Sequence, residues 1–216
     1  VFPREPLLTI RGPLLQTQLF ETMILNILNH QSLIATKARR ITYSADGRPV
    51  MEFGARRAQG PDSATYGARA AVIGGCSSTS NVLAAEAFGI PAAGTMAHAW
   101  IESFPDELTS FEKWAEVYPD NAALLVDTYD VLKSGVPNAI KVFKELKANG
   151  HKPVGIRIDS GDISQLSKAA RKMLDDAGLP EVKITASNAL DEHVVASLLN
   201  EGAPLDNFGI GEKLIT

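Results

Sequence analysis

The sequence predicts an α/β fold: most of a TIM-like α/β barrel, preceded by a strand and a long helix. Three observations predict it. Short apolar runs alternate with helical patterns at roughly 20 to 30 residues per unit, the rhythm of parallel strands with crossover helices. Seven such runs occur, more than a small open sheet usually needs. Each run exits into polar residues or glycine, and in a parallel barrel all these exits open on one face.

In chain order, Pro6 to Ile10 reads as a short strand ended by Gly12-Pro13. A long helix follows, because Leu19, Phe20, Met23, Ile24, Ile27, Leu28, Ile34, Ala35, Ala38 and Ile41 recur at spacings of three and four. The Leu, Met, Ala, Gln and Glu residues around them favour helix. Asp46-Gly47 is a turn signal. It divides the chain into residues 1–46, the end of an N-terminal domain, and residues 47–216, a truncated barrel domain. The strand runs end at Phe53-Gly54, Ile73-Gly74-Gly75, Ala92-Ala93-Gly94, Leu124-Leu125-Val126, Val154-Gly155-Ile156, Val182-Lys183-Ile184 and Phe208-Gly209-Ile210. Helices are predicted from Asn138 to Asn149, from Ile163 to Ala177 and from Asp191 to Asn200, the first two closed by Gly150 and Gly178. The chain opens on Val1-Phe2-Pro3 without methionine. It closes from Phe208 to Thr216 as a strand cut off without a following turn or helix. Both ends lead us to expect a piece of a longer protein.

Composition narrows the function classes. Of 216 residues, 45% are apolar, enough for a folded core rather than a disordered chain. Lys and Arg total 21 against 25 Asp and Glu, a net charge of −4 that argues against a nucleic-acid footprint. A single cysteine, Cys76, excludes a disulfide scaffold and reads as a small buried residue. No apolar run reaches the roughly 18 residues that cross a bilayer, and no hydrophobic leader opens the chain. A cytoplasmic protein without membrane contact is therefore expected.

The exits carry the chemistry. They are Arg56-Arg57-Ala58-Gln59-Gly60, Ser77-Ser78-Thr79-Ser80-Asn81, Thr95-Met96-Ala97-His98, Asp127-Thr128-Tyr129-Asp130, Arg157-Ile158-Asp159-Ser160-Gly161-Asp162, Ser187-Asn188 and Gly209-Ile210-Gly211. Arg56 and Arg157 are planar forks suited to phosphate or carboxylate, and a barrel would turn both to one mouth. Gly209 and Gly211 offer bare amides to phosphate oxygens, although a tight turn explains the same glycines. Asp159 can accept ribose hydroxyls or a magnesium-bound water, whereas Asp162 also suits a helix cap. His98 stands among small residues, where a ligand can reach it as a base or nucleophile. His30, His151 and His193 read as helix-face or solvent-facing residues. No His/Cys spacing suits zinc.

Taken jointly, Phe53-Gly54-Ala55-Arg56-Arg57-Ala58-Gln59-Gly60-Pro61, Gly74 to Val82, Gly94 to Trp100, Arg157 to Asp162 and Phe208 to Gly211 resemble the nicotinate phosphoribosyltransferase family. The resemblance runs in order over essentially the whole chain. It implies the type II phosphoribosyltransferase fold, an irregular, partly open TIM-like α/β barrel, here with a remnant of an N-terminal α+β domain. It also implies a reaction in which nicotinate and phosphoribosyl pyrophosphate give nicotinate mononucleotide and pyrophosphate, coupled to hydrolysis of ATP, with Mg2+, in salvage leading to NAD. By motif position, His98 resembles the histidine that ATP phosphorylates, and Phe53 the aromatic residue that stacks on the pyridine ring. Arg56 is similar to an arginine on substrate and phosphate, Arg157 to one gripping phosphates, and Asp159 to the carboxylate on the ribose hydroxyls. Gly209 and Gly211 resemble the loop on the 5′-phosphate, and Thr79, Ser80 and Asn188 are expected at the substrate. The resemblance further implies a homodimer when full length, with N-terminal residues contributing to recognition.

Ser80 stands where related nicotinamide-using enzymes carry aspartate, so the resemblance implies nicotinate as substrate. Two unit charges about 4 Å apart repel by about 4 kcal/mol at an effective dielectric near 20, enough to choose acid over amide. Two other classes compete. A phosphate-binding aldolase or isomerase would need a Schiff-base lysine, for which Lys183 is the strand-borne candidate. A non-catalytic nucleotide sensor would have no use for His98.

Overall fold

We describe the chain from a computed structural model, which covers residues 2–216; Val1 lies outside the described residues. Among these residues the strands are β1 (Val50–Glu52), β2 (Ser78–Thr79), β3 (Ala123–Leu125), β4 (Gly155–Ile158), β5 (Lys183–Ala186) and β6 (Asn207–Ile210). All pairings are parallel, and the order across the sheet is β2-β1-β6-β5-β4-β3. Strands adjacent in sequence are therefore adjacent in space, and β6 closes back on β1. That is the order of a barrel with one seam, between β2 and β3. The curled sheet is the partly open α/β barrel the resemblance implies.

The helices are α1 (Leu14–Ser44), α2 (Pro61–Ile73), α3 (Val82–Phe88), α4 (His98–Glu102), α5 (Glu107–Val117), α6 (Val136–Ala148), α7 (Ile163–Asp176), α8 (Glu192–Asn200) and α9 (Glu212–Ile215). A π-helical turn, Val131–Gly135, leads into α6. Side-chain caps fix where several begin: Asp106 receives Thr109 N at 2.8 Å, Asp162 receives Gln165 N at 3.0 Å and Asp191 receives Val194 N at 2.9 Å. Gly150 and Gly178 close α6 and α7 with positive φ of 85° and 78°, as expected of them. Between sheet and helices lies one core, in which Leu124, Ile156, Ile158, Ile184, Phe208 and Ile210 are fully buried.

Four elements depart from expectation. Pro6 to Ile10 forms no strand; the segment is exposed and has no strand to pair with among the described residues. The run ending at Ile73 is the last turn of α2, not a strand. Pro61 sits in its first turn, and Ala70 and Ala71 are buried in one cluster with Ile34, Ala38 and Ile41 of α1, with Gly67 and Gly74 lying close to that helix. The strand here is instead the polar pair Ser78–Thr79, fully paired to β1. The run at Ala92 contributes only a single bridge, to Thr79, and lies at the seam. Finally, β6 does not end the fold, because the one-turn helix α9 follows it and buries Leu214 and Ile215.

Candidate active site

The strand exits converge on two adjoining clefts. The larger, about 280 Å³, is lined by residues following β1 (Phe53, Arg56), β2 (Ser80), the Gly94–His98 segment and β4 (Arg157, Asp159). The smaller, about 100 Å³, adds Asn188 after β5 and Gly209 and Gly211 at β6. Phe53, Arg56, Arg157 and Asp159 face both clefts and form the ridge between them. Residues more than 150 positions apart thus share one mouth, because every parallel strand ends at the same rim.

Arg157 is held on all its donor edges. Its Nε donates to Ser187 Oγ at 2.7 Å, Nη1 to Thr95 Oγ1 at 2.9 Å and Nη2 to Asp159 Oδ1 at 2.9 Å. Ser187 Oγ donates in turn to Asp159 Oδ1. The guanidinium also lies 5.3 Å from the centre of the Phe53 ring. Phe53 can occupy this place because Gly209 has no side chain. A Cβ there would stand 2.4 Å from Phe53 Cε2. The ring thus lies close against the Gly209 backbone at the base of the site, with the guanidinium nearby.

His98 opens α4, and its Nε2 lies 3.2 Å from Asp127 Oδ1. The imidazole is two-fifths exposed, whereas the Asp127 carboxylate is 1% exposed. The other oxygen of Asp127 accepts Asp159 N at 3.0 Å and Ser160 Oγ at 2.6 Å. One buried carboxylate therefore ties the histidine to the arginine cluster.

Of the sequence candidates, His98, Arg157, Asp159, Phe53, Arg56, Ser80, Asn188, Gly209 and Gly211 line the clefts. Thr79 does not: it is fully buried, its hydroxyl donates to Glu52, and it accepts Asn81 N at 3.0 Å. Asp127, Ser187 and Thr95 were not singled out by sequence, yet they hold the site together. The available signal was their place in the predicted exits. Asp162 caps α7, as its position allowed. Lys183 starts β5, at the end of the sheet away from the clefts, and cannot serve a Schiff base there. His151 pairs with Asp120 at 3.0 Å in the turn before β4, and His193 is exposed on α8. Cys76 is buried, and that burial, with the Glu52 charge nearby, pushes its thiol up to about 12. Among the described residues no group of three or more His, Cys, Asp or Glu could by itself hold a metal.

Residues 49–216 match the family model described as the nicotinate phosphoribosyltransferase (NAPRTase) family. The chain belongs to this family. A relative named nicotinate phosphoribosyltransferase from Bacillus subtilis is 52% identical over 216 residues, which is all of this chain and 44% of the relative. One from Mycobacterium tuberculosis is 46% identical over 215 residues, covering 46% of that protein. The crystal structure of human nicotinic acid phosphoribosyltransferase superposes with a TM-score of 0.90 at 34% identity, covering 98% of this chain and 53% of the human chain. The chain thus spans about half the length of the NAPRTase relatives it matches.

Proposed function

We propose that this chain carries the central catalytic face of a nicotinate phosphoribosyltransferase. The enzyme transfers the phosphoribosyl group from phosphoribosyl pyrophosphate to nicotinate, giving nicotinate mononucleotide and pyrophosphate, within NAD salvage in the cytoplasm. ATP hydrolysis is coupled through phosphorylation of His98. The observation that carries this reading is the His98–Asp127 pair, bound through Asp159 and Ser160 to the Arg157 cluster.

The residues divide the work. The pyridine nitrogen attacks the anomeric carbon of ribose while pyrophosphate leaves, and charge develops on both fragments. Positioning and electrostatics supply most of such catalysis. Arg157, with Arg56 across the ridge, neutralises phosphate oxygens, and Asp159 accepts ribose hydroxyls. The amides of Gly209 and Gly211 receive the 5′-phosphate. Phe53 stacks on the pyridine ring beside the neutral Ser80, which leaves the nicotinate carboxylate unopposed. Asn188 lines the smaller cleft with a positive φ of 104°. With the ring proton on Nε2, His98 donates a hydrogen bond to Asp127, which leaves Nδ1 as the ring nitrogen open to a phosphoryl group.

Asp159 spends Oδ1 on Arg157 and Ser187, and Oδ2 takes no protein hydrogen bond among the described residues. That free oxygen suits a magnesium-bound water, since Mg2+ is usually held by one or two carboxylates plus substrate phosphates. Bound there, the ion would offset charge on the leaving pyrophosphate. A homodimer belongs to this reading. The first half of α1 exposes Leu15, Leu19, Phe20 and Met23, apolar side chains of the kind a partner subunit covers. No helix among the described residues is long and apolar enough to cross a membrane.

The test is turnover of nicotinate and nicotinamide by the full-length protein, with and without labelled ATP. Nicotinate preference and an acid-labile phosphoprotein lost in His98→Ala are expected. Preference for nicotinamide, or ATP coupling unchanged in His98→Ala, would overturn it.

A further inference from the structure

Glu52 is the last residue of β1 and is fully buried, yet no lysine, arginine or histidine bonds its carboxyl group. Such a group is costly to keep unless its hydrogen bonds do something for the fold or the site. Its two oxygens reach two different strand exits. Oε1 accepts the backbone N–H of Gly54, immediately after Phe53, and Oε2 accepts the hydroxyl of Thr79, immediately before Ser80. The backbone repeats the tie, because Ser80 N donates to Glu52 O at 2.9 Å. Thr79 Oγ1 in turn accepts the N–H of Asn81, whose side chain caps α3. Phe53, held between Glu52 and Gly54, and Ser80, next after Thr79, both line the larger cleft.

We propose that Glu52 is a positioning residue that determines pyridine specificity: it sets the spacing between the Phe53 ring and Ser80 from beneath the cleft. The proposal rests on the transferase reading above. Glu52 touches no ligand itself. Its side chain bonds Gly54 and Thr79, which flank Phe53 and Ser80, and makes no hydrogen bond to the phosphate-binding exits at β4 and β6, which it reaches only through Phe53 and the backbone pairing of β1 with β6. Burial raises its carboxyl above the ordinary range, against the two hydrogen bonds that lower it. The same burial means that a substitution here changes the site from inside, without adding or removing a surface charge.

The experiment uses steady-state kinetics on the full-length protein, with Glu52→Gln and Thr79→Val measured separately and together. Each variant removes or alters one bond of the tie while nearly keeping side-chain volume. Expected is a rise of about tenfold or more in KM for nicotinate, the scale that small misplacements of a bound group produce, with a clearly smaller change in KM for phosphoribosyl pyrophosphate, whose site Glu52 reaches only through Phe53. The double variant should be less than additive, because both substitutions break one connection. The ratio of nicotinate to nicotinamide turnover should fall in each. A purely structural Glu52 would lower the melting temperature and the active fraction while leaving both KM values alone, and that result would overturn the proposal. Equal rises in both KM values would overturn it too. If the wild-type protein turns over neither pyridine, the transferase reading fails first, and this proposal falls with it. Should Glu52→Gln not fold, Thr79→Val alone decides the matter by the same KM comparison.

Discussion

Asp127→Asn isolates the link between His98 and the rest of the site. The substitution keeps the shape of a side chain that is 1% exposed. The amide oxygen can still accept Asp159 N and Ser160 Oγ, so the β4 exit should stay in place. The negative charge 3.2 Å from His98 Nε2 is lost, and an N–H group turns toward that nitrogen. The ring then favours the tautomer with the proton on Nδ1, which removes the nucleophilic lone pair. A charge pair near this separation is worth about 4 kcal/mol at an effective dielectric of 20. Because the imidazole is two-fifths exposed, solvent cuts this to roughly 2 kcal/mol. That corresponds to about a thirtyfold slower formation of phosphohistidine. Rapid-quench measurement of acid-labile phosphate on the full-length protein reads the rate, and thermal melting reports whether the fold survives. A wild-type rate in a folded Asp127→Asn variant would refute the reasoning, because the carboxylate would then have no part in activating the ring.

Four further outcomes follow from the geometry. Arg157→Lys loses the bonds to Ser187, Thr95 and Asp159 that one ammonium cannot replace. KM for phosphoribosyl pyrophosphate should rise by about 10- to 100-fold in steady-state assays, at roughly 1.5–3 kcal/mol per charged hydrogen bond lost. Gly209→Ala places a Cβ 2.4 Å from Phe53 Cε2, so the ring must move; calorimetry should find about 1–3 kcal/mol of destabilisation, and nicotinate affinity should fall. Cys76, with its thiol at about 12, should resist iodoacetamide at pH 8 until denaturant is added, as mass spectrometry can follow. Burial raises the Glu107 carboxyl above 4.5, with Asp127 adding to the rise and Asn138 and Ser134 opposing it. A raised folded value contributes stability that is present below the unfolded value and lost as pH climbs through the folded one. Glu107→Gln should therefore flatten the decline of unfolding free energy above pH 4.5 in urea titrations.

The sequence discloses residues whose chemistry is rare at a strand exit and hides those whose chemistry is common there. His98, Arg56 and Arg157 stood out because small or polar caps do not require them. Asp127 did not, because Asp-Thr-Tyr-Asp reads as an ordinary start to a helical segment. The second aspartate is just that, since Asp130 accepts the N–H groups of Leu132 and Lys133. Only the fold separates the two, by sending Asp127 inward toward His98. Thr79 misled for the opposite reason. A hydroxyl beside Ser80 looks available to substrate, but the strand period turns alternate side chains to opposite faces, and Thr79 faces Glu52. The strand assigned to the run at Ile73 failed because a short apolar run does not distinguish a buried strand from a helix end. Here the alanine face against α1 decided for helix.

The failed strand at Ala92 bears on function as well as fold. In a closed barrel a strand between β2 and β3 would complete the hydrogen-bonded ring, and its exit would be as rigid as the others. Here a single bridge to Thr79 stands in its place. The segment from Gly94 to His98 therefore reaches the cleft without a ladder on either side. Arg157, Asp159 and Ser187 by contrast follow strands paired on both flanks, β4 and β5. One half of the site is thus fixed by backbone pairing and the other half by side chains. Thr95 is held by Arg157 at 2.9 Å and His98 by Asp127 at 3.2 Å, so the seam is fastened to the rigid half by two polar contacts. On the proposed reading, a phosphoryl group on His98 Nδ1 would load the ring that Asp127 holds through Nε2, and phosphate oxygens drawn onto Arg157 would compete with Thr95 for its donors. Occupancy at either place would then bear on how the seam is held, which on that reading would give ATP a structural route to the phosphoribosyl site.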